Sequence, residues 1–158
     1  MNLRLPWRRC ATGPRQRGAA AVEFAVLLPC LAIVLAPVIL CARFMWHYTA
    51  AHKAAQDAAR YMATVPQLEL RSRALAARAS AVAVDIVRRE LGDLAPGEDI
   101  PDPEIECDTN ACGIRAGTVP RTIRVTLVFY MRDPIFNTYL GQYGLPIDVT
   151  VVTPYVGK

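Results

Sequence analysis

Acidic side chains are missing from the first eighteen residues of this 158-residue chain, although Arg4, Arg8, Arg9, Arg15 and Arg17 all lie there. Taking these five from the 18 basic residues leaves 13 against 14 acidic ones, so the net charge of +4 becomes −1 beyond the opening stretch. The basicity is thus a local address and argues against a nucleic-acid-binding surface. Charge of either sign is missing from Phe24 to Ala42, nineteen residues, enough to cross a bilayer as a helix. Bases are missing from residues 92–108, which hold Asp93, Glu98, Asp99, Asp102, Glu104, Glu106 and Asp108 in a proline-rich connection. No EF-hand spacing appears in it, so an ordinary acidic loop is preferred to a calcium site. Histidine is scarce: His47 and His52, five apart, point to different helix faces and make a poor metal pair. There is no serine-nucleophile motif, glycine-rich phosphate loop or recognisable pair of catalytic carboxylates. The sequence predicts no enzyme, no cofactor and no metal site.

What is present begins at Gly18. Residues 18–24 read Gly-Ala-Ala-Ala-Val-Glu-Phe and open the apolar run. Glu23 is the informative residue, because a carboxylate carried into a bilayer costs roughly 2.5–3.5 kcal/mol at mid-membrane and so calls for a functional reason. Three kinds of N-terminus compete. A cleaved secretory signal has a shorter apolar core and small residues before the cut, but Leu40-Cys41-Ala42 places a large residue there. A lipoprotein signal needs a small residue before its cysteine, but Pro29 precedes Cys30 and Leu40 precedes Cys41. An uncleaved single-span anchor explains the arginines and the span and leaves Glu23 without a role. A prepilin-type signal, cut after the glycine, accounts for Gly18, the alanines and Glu23 together.

The stretch from Arg17 through Pro29, Arg-Gly-Ala-Ala-Ala-Val-Glu-Phe-Ala-Val-Leu-Leu-Pro, resembles the N-terminus of TadE-like proteins, pseudopilins of the tight-adherence (Flp pilus) system. The similarity continues through the alanine-rich stretch Ala50–Tyr61 and covers roughly the first 65 residues, with Pro37 and Cys41 as departures from a plainer span. The resemblance implies processing between Gly18 and Ala19 by a prepilin peptidase, which makes Glu23 the fifth residue of the mature chain. It also implies assembly through Glu23 and Phe24. Unpaired carboxylates and ammonium groups are both costly in an apolar bundle, so Glu23 of one subunit is expected to pair with the freed Ala19 amine of its neighbour. The competing state is Glu23 solvated at the inner membrane interface. The partners implied are the prepilin peptidase, other minor pilins, the major pilin and an inner-membrane assembly platform, with no nucleic acid.

Local patterns supply the rest of the expected fold. A long helix is predicted from about Ala19 to Met62, with Pro29 and Pro37 bending or locally opening it. Trp46 and Tyr48 follow Arg43, where an aromatic belt would mark the outer membrane boundary. Phe44, Tyr48, Ala51, Ala55, Ala58 and Met62 share one helical face, available to the chain's own C-terminal domain or to another subunit. A second helix is expected from Pro66 to Gly92, with Leu75, Ala79, Val82 and Ile86 as its buried stripe. Arg71, Arg73, Arg78, Arg88 and Arg89 then fall on solvated faces, or meet an acidic partner.

Cys107 and Cys112 are the only cysteines beyond the leader and span, and in an oxidising compartment they read as a disulfide, with two free thiols as the alternative. Strands Glu104–Cys107 and Cys112–Arg115 are expected to form a hairpin with that bond at its neck. Alternation predicts further strands through Ile123–Tyr130 and Ile147–Val151. Between them Phe136, Tyr139, Leu140 and Tyr143 either cover the sheet or form a contact patch, and their loop is the preferred partner surface.

The expected architecture is α+β and pilin-like: a long N-terminal transmembrane helix, a second helix and a small antiparallel C-terminal sheet. Its parts are a leader at 1–18, a transmembrane and extended helix at 19–64, and an exported head at 65–158. The expected location is the inner membrane, single-pass, with a cytoplasmic N-terminus, a periplasmic head and incorporation into a surface pilus. The expected role is that of a minor pilin serving surface attachment; the alternative is an uncleaved, single-span binding or scaffold protein of the envelope.

Overall fold

A computed structural model describes residues 17–92, 101–112, 114, 118–132 and 144–157. Most of the arginine-rich leader, residues 93–100 of the acidic connection, and the loop bearing Phe136, Tyr139, Leu140 and Tyr143 lie outside the described residues. The elements are three helices followed by a four-stranded antiparallel sheet, the expected α+β class. By internal contacts the chain divides into two compact units, Met1–Ile39 and Leu40–Lys158.

Helix α1 is a single element, Arg17–Thr64, and continues through both Pro29 and Pro37. Each proline removes one intrahelical donor. The helix ends where the residue before Pro66 is steered out of helical geometry. The Thr64 hydroxyl donates to the Tyr61 carbonyl at 2.9 Å, satisfying one of the carbonyls orphaned at the end.

The second helix differs from its expectation in two ways. Pro66 stands before it as the N-cap, and the chain then forms a short α2, Gln67–Arg71, and a separate α3, Arg73–Gly92. The break is at Ser72, which is extended (φ −94°, ψ 122°) and whose carbonyl accepts from Ala76 N at 2.9 Å to start α3. The buried stripe also differs: it is Ala76, Ala79, Ala83, Val87 and Leu91, while Leu75 and Val82 are exposed and Ile86 is half-buried. The physical reason is size. Alanine lets the helix backbone sit close to its neighbours, so the smaller stripe turns inward and the bulkier one outward.

In the sheet, β1 (Glu104–Cys107) pairs with β2 (Asn110–Ala111) and with β3 (Thr122–Met131), and β3 pairs with β4 (Leu145–Pro154), giving the order β2-β1-β3-β4. The expected second hairpin strand, Cys112–Arg115, is displaced to Asn110–Ala111. Cys107 pairs with Asn110, so only Asp108 and Thr109 form the turn. Asp108 takes a left-handed φ of 62°, which a short polar side chain tolerates, and this permits the tighter turn.

Alternation in β3 and β4 is as expected: Ile123, Val125, Leu127, Phe129, Met131, Ile147 and Val149 are buried, and their neighbours point outward. These residues join Ala51, Ala54, Ala55, Ala58, Ala59 and Met62 of α1 and the inner stripe of α3 in one core. The predicted α1 face is thus buried from Ala51 to Met62 by the chain's own head, while Phe44 is half-buried and Tyr48 exposed. Lys53 of α1 and Glu90 of α3 form an ion pair across this helical layer.

The chain after β4 returns to the α1–α2 corner. Val156 N donates to Ala63 O at 3.1 Å, the Tyr155 hydroxyl to Val65 O at 2.6 Å, and Gln67 Nε2 to Gly157 O at 3.3 Å. Burial pushes the Tyr155 phenol above its ordinary value. Gly157 has no room for a side chain: an added β-carbon would collide with the Tyr155 hydroxyl and the Val65 carbonyl.

Candidate functional site

The residues expected to carry processing and assembly, Gly18, Ala19, Glu23 and Phe24, all lie in the first turns of α1. Gly18 is exposed, and a β-carbon built there meets nothing within 4 Å, so its own fold makes no demand for glycine. Glu23 follows Ala19 by four residues, about 6 Å along the axis and on the same face. Its carboxylate is exposed and has no hydrogen bond or ion pair among the described residues. A negative group near the start of a helix is favoured by the helix dipole, a weak effect that does not substitute for a counter-ion. Phe24 beside it is 68% exposed.

The turns that follow have no core of their own. Val22, Val26, Leu27, Leu28, Leu31, Ile33, Val34, Leu35, Val38 and Ile39 are exposed all round the helix. A helix apolar on every side calls for an apolar environment on every side. Among the described residues α1 is the one helix long and apolar enough to cross a membrane. Cys30 and Cys41 are free and exposed on it.

In the head, Cys107 and Cys112 form the expected disulfide, with Cα atoms 4.8 Å apart. Beside it is a clamp that sequence reasoning missed. Asp108 Oδ1 accepts from Arg121 N at 2.9 Å, Thr122 N at 3.0 Å and the Thr122 hydroxyl at 3.2 Å, tying the hairpin tip to the start of β3. Burial acts to raise the Asp108 pKa, but the bonds from Thr122 and Arg121 outweigh it and hold the carboxyl below its ordinary value. An aspartate directly after a cysteine, at the tip of a two-residue turn, was the available signal.

The cavity at this hairpin, bounded by Leu70, Cys107, Asp108, Asn110, Ala111, Thr118 and Pro120, holds about 30 Å³, room for a water molecule and not for a substrate. His47 is buried, with Nδ1 2.8 Å from the Arg43 carbonyl, while the His52 ring lies against Tyr48. Among the described residues no three His, Cys, Asp or Glu side chains gather in a metal-binding group.

Among the described residues, one apolar helix of membrane-crossing length runs on into a small α+β head. Residues 18–60 match the family model described as TadE-like protein, a similarity confined to this segment. The match begins at Gly18 and ends within the buried part of α1, so the resemblance read from the sequence holds for the helix and does not extend to the sheet. No curated protein and no solved structure matches the chain.

Proposed function

We propose that this chain is a minor pilin, or pseudopilin, of a tight-adherence pilus, held by α1 in the inner membrane with its head on the periplasmic side. A prepilin peptidase cuts it after Gly18. The observation that carries the reading is a coincidence at one place. The TadE-like match starts at Gly18, and among the described residues the Glu23 carboxylate lacks a partner and the apolar turns beyond it lack a core. The arginines before Gly18 keep that end in the cytoplasm.

Cleavage frees the Ala19 amine as a cation one helical turn from Glu23. Within an apolar bundle each charge alone carries a large desolvation cost, and pairing relieves both. Pairing within one chain would neutralise them without a neighbour. Pairing between chains additionally sets the axial offset of adjacent helices, and this is the role assigned to Glu23, with Phe24 packing beside it. The other minor pilins, the major pilin and the assembly platform are the remaining partners, and surface attachment is the outcome.

The test is the N-terminal sequence and intact mass of the protein from its native membrane. A chain beginning Ala19-Ala20-Ala21-Val22-Glu23 supports the proposal. A chain still beginning at Met1 sinks it and leaves the second reading, an uncleaved envelope scaffold. One observation favours that alternative: α1 runs helically from Arg17 through Gly18 and Ala19, so a peptidase must first open this turn. In a cleaved chain, Glu23→Ala should leave processing intact and reduce assembled pili at least tenfold. Unchanged pilus numbers would remove the pairing argument while leaving the cleavage assignment standing.

A further inference from the structure

Two surfaces of the head are opposite in charge. On the helical side, Leu75 and Val82 lie seven residues apart on one face of α3, turned away from the core with Arg78 between them. Arg71 and Arg73 flank the same end. These three arginines are exposed and have no ion-pair partner among the described residues, whereas Arg88 and Arg89 hold Asp102 and Asp85. Glu69 is the one acid between residues 67 and 84, and Leu68 beside it is 78% exposed.

On the sheet side, the outward face carries Glu104 and Glu106 of β1, Arg124 and Val128 of β3, and Asp148 and Val152 of β4. Glu106 has Arg124 at 3.9 Å, but Glu104 and Asp148 have no cation among the described residues. Asp148 is directly opposite Val128, so charge and exposed aliphatic surface are mixed here as they are on α3.

The helices and the sheet are opposite layers around one core, so these two surfaces face away from each other. A single chain cannot bring them together, but two copies can. A lipid surface fits the arginines less well. The turn at Pro66 and the Lys53–Glu90 pair show that α3 runs back along α1. Arg78 therefore lies on the order of 30 Å beyond Arg43, where the charge-free run ends, and headgroup fields decay within about 10 Å.

We propose that the Arg71, Arg73 and Arg78 surface of one copy docks on the outward sheet face of a second copy, at Glu104 and Asp148. The contact is heterologous: the copy that gives its arginine surface keeps its sheet face free, and its neighbour keeps its arginine surface, so the series is open-ended. Exposed ion pairs contribute little affinity individually and chiefly fix orientation. Anchoring copies side by side supplies the effective concentration that so modest a contact needs. The contact is independent of cleavage after Gly18 and of Glu23, and its test does not read either.

The experiment is sedimentation equilibrium of the full-length protein in detergent micelles at low and high salt. Wild type should associate with a dissociation constant raised about fivefold by high salt, by Arg78→Glu or by Glu104→Arg. The chain carrying both reversals should regain wild-type association, which a merely damaged fold would not do. Unfolding midpoints report whether each variant is folded, and Arg78→Gln with Glu104→Gln gives a smaller loss if a reversal misfolds. Association that ignores salt and both reversals, loss without rescue in the double variant, or no association at any concentration overturns the proposal.

Discussion

Residues 20–39 and residues 51–63 of α1 use apolar side chains in opposite ways. The first stretch displays valines, leucines and isoleucines on every side, while the second buries Ala51, Ala54, Ala55, Ala58 and Ala59 completely. Most of the large hydrophobic side chains of the helix are thus exposed, and its core face is built of alanines with Met62 as the one large member. Burial in the head follows close approach of backbones, for which alanine is suited. Exposure in the first stretch follows from an apolar surrounding, lipid or other helices, that lies outside the chain.

The sharpest way to break this contrast is to truncate one large side chain in each setting. Phe129→Ala, at a position 1% exposed in the sheet, should destabilise the head by about 3–5 kcal/mol. Leu31→Ala, at a position 56% exposed, should leave the head's unfolding midpoint unchanged. Thermal unfolding in detergent followed by hydrogen exchange of β3 amides measures both, and a shift from Leu31→Ala would show that the first stretch does support the head. Enlarging a core alanine asks the complementary question. Ala55→Leu should cost about 1–3 kcal/mol by overpacking, despite being the more hydrophobic residue; denaturant midpoints that rise instead would show that the alanine face is not closely packed.

Removing the Cys107–Cys112 bond with Cys112→Ser should cost about 2 kcal/mol, the chain-entropy value for so short a loop. Equal urea midpoints with and without reductant would place the stabilisation elsewhere. The smallest effect belongs to Asp108. Its folded-state pKa is depressed below the ordinary 3.8, so its contribution is complete above that value and is lost as pH falls through the folded pKa. Asp108→Asn keeps an acceptor oxygen and loses the titration. Its midpoint should therefore vary less than wild type below about pH 4, by well under 1 kcal/mol at so exposed a site; parallel acid curves would assign the sensitivity to other carboxylates.

Where one physical signal dominated, the fold was legible. The charge-free run and the alanine periodicity placed α1, strict alternation placed β3 and β4, and two nearby cysteines beyond the apolar run placed the disulfide. Where hydrophobicity and size pointed in different directions, reading by hydrophobicity failed: Leu75 and Val82 outweigh Ala76 and Ala83 on any transfer scale, yet the alanines face inward. The break at Ser72 had no glycine or proline at the break itself to announce it, and β2 shifted because Asp108 accepts a left-handed turn. The family match begins at Gly18, where the prepilin-type pattern was read, and the roles given to Gly18 and Glu23 remain part of the proposal. The Asp108 clamp and the Tyr155 tie depend on partners far along the chain, which local patterns do not report.

The tie from Tyr155 to Val65 closes a span of 90 residues. A chain synthesised N-terminus first therefore presents α1 well before the strand that locks it exists. In the interval the alanine face is bare and the head is a collection of helices without a sheet. Formation of α1 and closure of the head become separate events in time, the second waiting for Tyr155. A stall between them would leave a helix complete in its backbone bonds beside a head still open at its corner.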